Sequence, residues 1–298
     1  MKTLTLIALL TWAAISSSAC INSPSGVTLD GRRTRSAAHW PIRELNESRR
    51  ANMYMEGAEL EERFRGETEF TNRTDYAIGL IYLGDYAEAI AVLQSLEKER
   101  PSEYSTAANL GTAYELSGKN QLALQWIQEG MKRNPTSHQG SEWVHVELLR
   151  AKIAQEKDAK YFVTHSVLNL DLKAMSAGAK TATIAGKERG LEEIRDAVQY
   201  QLRERLKFVK SNDVVVASLL VDEGLLEAAT RTVQTGRQLL QLAGEYGYPR
   251  AQLTPFYAQF DHAVHVASVR RMFFWGTIAF GVVGFLVYAV KRRWIRVM

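Results

Sequence analysis

Six histidines and one cysteine are the side chains in this sequence best suited to nucleophilic or metal chemistry. His138 and His145 lie seven residues apart and would share a face only on a helix starting before Gly140, against the sense of Pro135 and Gly140. His145 and Glu147 stand two apart, so on a helix they point to different faces and cannot hold one metal. His165, in THSVL, falls in a stretch of irregular composition, where a catalytic side chain would be tolerated, but spacing puts no acid or nucleophile beside it. The carboxylates of LEEIRD (191–196) and DEG (222–224) read as solvated helix faces or turns and do not pair as a glycosidase acid and base. HExxH, GxSxG and nucleotide-binding glycine loops are all missing from the sequence. The expectation is a protein with no catalytic residues, no metal and no cofactor.

The elements are then expected to hold partners, and the two ends say where. The chain opens MKTLTLIALLTWAAISSSAC, with Lys2 as a minimal basic region, an apolar run from Leu4 to Ile15 and small residues from Ser16 to Ala19. That layout predicts a signal peptide over residues 1–19. Cys20, alone in the sequence, forms no intramolecular disulfide. SSAC resembles the lipobox of bacterial lipoproteins, which makes Cys20 a candidate lipidation site. Ser17 departs from the aliphatic residue that pattern prefers, and ordinary cleavage after Ala19 fits equally well.

At the other end, residues 272–290 read MFFWGTIAFGVVGFLVYAV, without a charge. Nineteen residues span about 28 Å as a helix, close to the hydrocarbon thickness of a bilayer. Trp275 and Tyr288 near its ends suit interfacial aromatics, and KRRWIR follows at once. The expectation is a single-pass protein of the cytoplasmic membrane, its body outside and its basic tail (291–298) inside. Thr277, Gly281 and Gly284 share a face and suggest a homodimer through the span. Formal net charge is +4, with Arg32, Arg33 and Arg35 near one end and Lys291, Arg292, Arg293 and Arg296 at the other. The body between is close to neutral, which argues against nucleic acid as a partner.

Between the ends, LIYLGDYAEAI (80–90) and LGTAYELSGKNQLAL (110–124) follow one plan. Aligned on Gly84 and Gly118 they are offset by 34 residues, which also pairs Ala77 with Gly111, Leu80 with Tyr114, Ala89 with Ala123, Leu93 with Ile127, and Pro101 with Pro135. Glycine ends the first helix of each unit, small residues allow two helices to cross closely, and proline ends the second. A 34-residue period with this pattern resembles the tetratricopeptide repeat. The resemblance implies an all-α solenoid of helical hairpins, with repeats at about 70–103 and 104–137, to which the apolar run adds one C-terminal transmembrane helix.

Two such units need neighbours to cover their faces. The helical domain is therefore drawn over 44–157, with Ala51, Tyr54, Ala58 and Leu60 as the inner face of a leading helix. Trp143, Val146, Leu149 and Ile153 form the inner face of a following one. Residues 20–43 read as a flexible linker and 158–189 as an irregular insertion. The span 190–250 reads as degenerate hairpins, beginning with an amphipathic helix from Gly190 and then turning at Gly224. A juxtamembrane helix over 255–271 leads to the span.

By the same resemblance the first helices line a peptide-binding groove, at Thr74, Ile78, Ile81, Tyr82, Ala108, Thr112, Glu115 and Leu116. One version of the family clamps a C-terminal carboxylate with lysine and asparagine. Here Thr74 and Ile78 stand at those positions, and only Asn109 falls in place. The groove is thus expected to be apolar and uncharged, open to a hydrophobic segment or filled by the chain's own insertion. The function expected is a protein-binding scaffold in the assembly of a bacterial envelope complex. Alternatives are a pilotin-like assembly factor of a secretion or pilus machine, an envelope enzyme using His165, and a span that itself pairs with a channel or transporter.

Overall fold

The computed structural model describes residues 25–35, 40–209 and 212–292, so the expected signal peptide, Cys20 and the tail beyond Arg292 lie outside the described residues. Helices dominate, as the all-α expectation requires, and the only strands among the described residues are two short hairpins. Helices α1 (Trp40–Arg50) and α2 (Met53–Phe64) lead into two hairpins, α3 (Phe70–Leu83) with α4 (Tyr86–Glu99) and α5 (Tyr104–Leu116) with α6 (Asn120–Arg133). These hairpins start at 70 and 104, their second helices start at 86 and 120, and they end at 99 and 133, a 34-residue spacing throughout.

The turn chemistry accounts for the identity of the two units. Gly84 (φ 90°) and Gly118 (φ 77°) adopt the left-handed conformation that side chains resist. The next amide then reaches back over the helix end, Asp85 N to Leu80 O at 2.9 Å and Lys119 N to Tyr114 O at 2.8 Å. Behind the turns, Ala77, Ala89, Leu93, Leu96, Leu110 and Ala123 are fully buried. Each leucine there contributes about 1.5–3 kcal/mol by leaving water. Arg133 of α6 clasps Glu97 of α4 with two 2.8 Å bonds, fastening one unit to the next.

Helix α7 (Glu142–Lys157) serves two cores. Val146 and Leu149 close the repeat core, whereas Val144, Leu148 and Ala151 belong to a second core beyond it. Trp143 packs with that second core, not with Val146 and Leu149 as expected. The leading segment also differs from expectation. It is broken at Ala51–Asn52, Tyr54 is exposed, and α2 lays Gly57 and Met53 inward.

The second core is built around α11 (Val214–Thr230), packed by α10 (Leu191–Arg205) and α12 (Val233–Glu245). Residues 215–229 of α11 are all buried. Gly224, expected to form a turn, is mid-helix. A Cβ there would lie 3.1 Å from Gly236 O, and one on Gly236 would lie 2.4 Å from Gly224 O, so the pair marks the closest crossing of α11 and α12. The actual turn is at Arg231–Thr232, where the Thr232 hydroxyl caps α12 through Thr235 N.

The expected linker contains structure too. Strands β1 (Ser25–Val27) and β2 (Arg33–Arg35) form an antiparallel hairpin that buries Val27 and Leu29, and Leu29 N donates to Ala228 O at 2.7 Å. The 158–189 insertion is largely irregular. It includes α8 (Tyr161–Thr164), α9 (Leu172–Ser176) and β3 (Thr181–Ile184), which pairs with β4 (Lys187–Gly190). Its Phe162, Val167, Leu168, Met175 and Ile184 are buried in the second core.

Helix α13 (Arg250–Lys291) runs 42 residues without a break, starting before the expected Pro255 and carrying that proline in its second turn. Leu253, Phe260, Ala263 and Ala267 pack on the body, whereas the apolar residues from Met272 to Phe285 are exposed. This helix is long and apolar enough to cross a membrane.

Candidate functional site

Seven of the eight expected groove residues line one cavity of about 370 Å³, namely Ile78, Ile81, Tyr82, Ala108, Thr112, Glu115 and Leu116, and Asn109 lines it as well. Helices α3 and α5 place them, because residues at i, i+3 and i+4 share a helix face. Thr74 does not reach the cavity. It is buried and its hydroxyl donates to Phe70 O at 2.9 Å, within its own helix.

The opposite wall comes from α10 and the residues after it, Gln201, Glu204, Arg205, Phe208 and Val209. The ring of Phe208 meets that of Tyr82 at 5.5 Å. The chain thus narrows its own groove with the end of α10. The 158–189 insertion, the alternative filler, packs on α11 instead through bonds from Val167 N to Ser218 Oγ and from Leu168 N to Asp222 Oδ2.

The groove is also charged, contrary to expectation. Glu115, buried on α5, receives Arg205 Nη1 at 2.5 Å and Nη2 at 3.2 Å, and Lys152 Nζ at 2.7 Å. His145 Nε2 lies 2.6 Å from its other oxygen. Burial alone would raise the Glu115 carboxyl, but Arg205, Lys152 and His145 together hold it well below the usual range. Burial works against a charged His145, yet Glu115 prevails and raises its imidazole above 6.5. Glu142 extends the chain of charge, with Nδ1 of His138 at 2.5 Å and Nδ1 of His145 at 3.6 Å. Burial opposes its ionisation, but the two histidines draw its carboxyl far down.

His138 and His145 therefore meet through Glu142, although they do not share one helix. His138 sits at φ 47° in a 3-10 turn (Ser137–Gly140) ahead of α7. Among the described residues no group of three or more histidine, cysteine, aspartate or glutamate side chains is arranged to hold a metal ion. The chemistry of this cluster is cohesion. One carboxylate gathers cations from α7 and α10 onto the inner face of a repeat.

His165 stands apart, exposed and stacked on Tyr161 at 4.6 Å, its Nδ1 near Thr164 Oγ1 and Tyr161 O. It shares a cavity of about 480 Å³ with Ser166 and Asp222. Asp222 is not on a solvated face. It is fully buried, accepts from Ser166 Oγ at 2.7 Å and Leu168 N at 2.9 Å, and burial pushes its carboxyl up to about 7. Those bonds fix the 166–169 turn, in which Asn169 is left-handed at φ 51°. Glu223 is likewise buried, and its carboxyl is driven up by burial and then by Glu227.

Sequence reasoning missed Arg205, Phe208 and His145 as groove residues. Arg205 and Phe208 lie on an amphipathic helix and its extension read only for its apolar line, 90 or more residues from the repeats they face. The chain matches no family model, no curated protein and no solved structure.

Proposed function

We propose that this protein is a membrane-anchored scaffold that holds a segment of another protein against its repeat hairpins, in the assembly of a bacterial cell-envelope complex. The observation carrying this reading is the cavity of about 370 Å³ on the inner face of α3 and α5, lined by seven residues that the repeat register singles out. Its volume falls within the range of ordinary ligand pockets and suits one or two side chains of an apolar segment. Ile78, Ile81, Leu116 and Phe208 supply apolar walls, while the charges gathered on Glu115 fix the floor. The tetratricopeptide resemblance supports the same reading, as does a C-terminal helix long and apolar enough to cross a membrane. The signal-like N-terminus and the basic tail favour a body outside the cytoplasm and a C-terminus inside.

The test is a photo-crosslinking residue placed at Ile78 in intact membranes, with the same residue at Leu122 of α6, exposed and away from the cavity, as control. The scaffold reading expects a discrete adduct with another protein from position 78 and none from 122. That adduct should disappear in the Tyr82→Ala, Leu116→Ala double variant while its circular dichroism stays helical. An adduct from 78 only to residues near Phe208 of the same chain would mean that α10 closes the groove, and the reading would fall.

A further inference from the structure

The β1–β2 hairpin is held against α13 just above its apolar stretch. Gly31, at φ 76°, sits so close to the helix that a Cβ would lie 2.9 Å from Val266 Cγ1 and 3.3 Å from Ala263 O. Arg270 Nη1 donates to the carbonyl of Asp30 at 3.4 Å, across 240 residues of sequence. Arg271 follows, exposed, and Met272 opens the uncharged run. The fold thus brings the turn at Asp30–Gly31 to Arg270, and Arg32 and Arg33 follow that turn directly, lining a cavity beside it.

From Val266 to Met272 the helix rises about 9 Å. The headgroup layer on each side of a bilayer is about 5–7 Å deep. With Met272 at the hydrocarbon boundary, the tip of the hairpin stands just above the headgroups, and an arginine side chain bridges the rest. Arg32 remains 54% exposed even though its Nε is held by Asp30 at 2.6 Å, and Arg33 is exposed too. Two acids face this group, Glu192 in the cavity that Arg32 and Arg33 line with Lys180, and Asp30. Asp30 also accepts from the Thr28 hydroxyl at 2.6 Å, and its carboxyl is lowered, since these bonds outweigh the burial that would raise it. Against Asp30 and Glu192 stand Arg32, Arg33, Arg270 and Arg271, so the sum is still positive.

We propose that these four arginines form a collar that binds the headgroups of anionic phospholipids on the body's side of the membrane. The inference rests on the membrane-anchored reading above. Arginines flanking a span are common, so Arg270 and Arg271 alone would be ordinary anchors. The distinctive part is Arg32 and Arg33, which lie far from the span in sequence and are carried to it by a folded hairpin. The collar also gives a role to basic residues that the positive-inside rule disfavours on the outer side.

The experiment uses the full chain in detergent micelles containing equal amounts of phosphatidylglycerol and phosphatidylcholine, with retained lipid counted by native mass spectrometry. Each arginine near an anionic surface is worth about fivefold in binding at low ionic strength. The wild type is expected to retain phosphatidylglycerol over phosphatidylcholine by fivefold or more. Arg32→Gln with Arg33→Gln should reduce that preference at least fivefold, and lysine at both positions should restore most of it. Lys98→Gln with Lys132→Gln, exposed and distant, should leave it unchanged. Near 1 M salt, where screening shortens the reach of charge to about 3 Å, the preference should shrink. Excess inorganic phosphate should not displace the lipid; displacement would identify a free-anion site and overturn the lipid assignment.

Two other results would overturn the collar, namely no lipid preference in the wild type, or a preference lost only in Arg270→Gln with Arg271→Gln. Carbonate extraction of native membranes separates the two readings. A chain released by carbonate refutes the membrane anchor itself, whereas a retained chain without the expected preference refutes only the collar.

Discussion

Glu115→Gln removes the negative centre of a buried cluster while conserving shape. Its carboxylate takes four contacts from Arg205, Lys152 and His145, and the Glu115 and Arg205 side chains are less than one-tenth exposed. The amide keeps one acceptor oxygen but neutralises none of the three cations. Breaking a buried ion pair from one side costs about 3–5 kcal/mol, because the charge left behind stays out of water. That is a large share of the roughly 5–15 kcal/mol that stabilises a domain. Denaturant unfolding of the full chain in detergent, followed by circular dichroism, should show a loss of this size. Glu59→Gln is the control, since the Glu59–Arg63 pair is exposed on both sides and worth at most about 1 kcal/mol. A loss for Glu115→Gln no larger than the control would refute the claim that this cluster binds the repeats to the second core.

The cluster also has a pH signature. The folded carboxyl of Glu115 is depressed, so its contribution is present above the unfolded value near 4.5 and disappears as pH falls through the lower folded value. The folded imidazole of His145 is raised, so its contribution is complete below 6.5 and disappears as pH rises through the folded value. Stability measured across this range should decline less above pH 6.5 in His145→Gln than in the wild type. Asp222 carries the opposite liability, since its folded carboxyl at about 7 makes ionisation unfavourable from 3.8 upward. Asp222→Asn should gain more stability relative to wild type at pH 8 than at pH 5, as read by thermal unfolding. Gly236→Ala places a methyl group 2.4 Å from Gly224 O, so overpacking should cost about 1–3 kcal/mol or more by the same denaturant assay. Gly276→Ala, with nothing near its Cβ, should cost none of it.

The repeat period was readable because its causes are local. A glycine forced to positive φ and a proline that cannot extend a helix leave their marks at fixed positions. The long apolar run at the C-terminus was readable for the same reason. Gly224 misled because a glycine that permits helix crossing looks, in one sequence, like a glycine that turns. The run VVVASLLVDEGLLEAAT is predominantly apolar, which is the pattern of a central helix, although it buries Asp222, Glu223 and Glu227, and Thr232 with Thr235 marked the true boundary. The charged floor of the groove was unreadable in a different way. Glu115 fell in the right register, but its partners lie 30, 37 and 90 residues away, and no local pattern links them. The hairpin at 25–35 was concealed by Arg32 and Arg33, which stay exposed while Val27 and Leu29 turn inward.

Helix α13 passes from the body into its apolar stretch with no hinge. Its azimuth is therefore common to both, and with the helix across a bilayer the groove would face one compass direction in the membrane plane, set by the rotation of that helix. One residue inserted after Ala267 would lift the body by only about 1.5 Å but swing the groove through roughly a quarter turn or slightly more, and a second insertion would point it nearly backward. Two copies paired along their spans would hold their grooves at a fixed mutual bearing. Whatever they grip would be spaced and oriented like teeth on a shared axle.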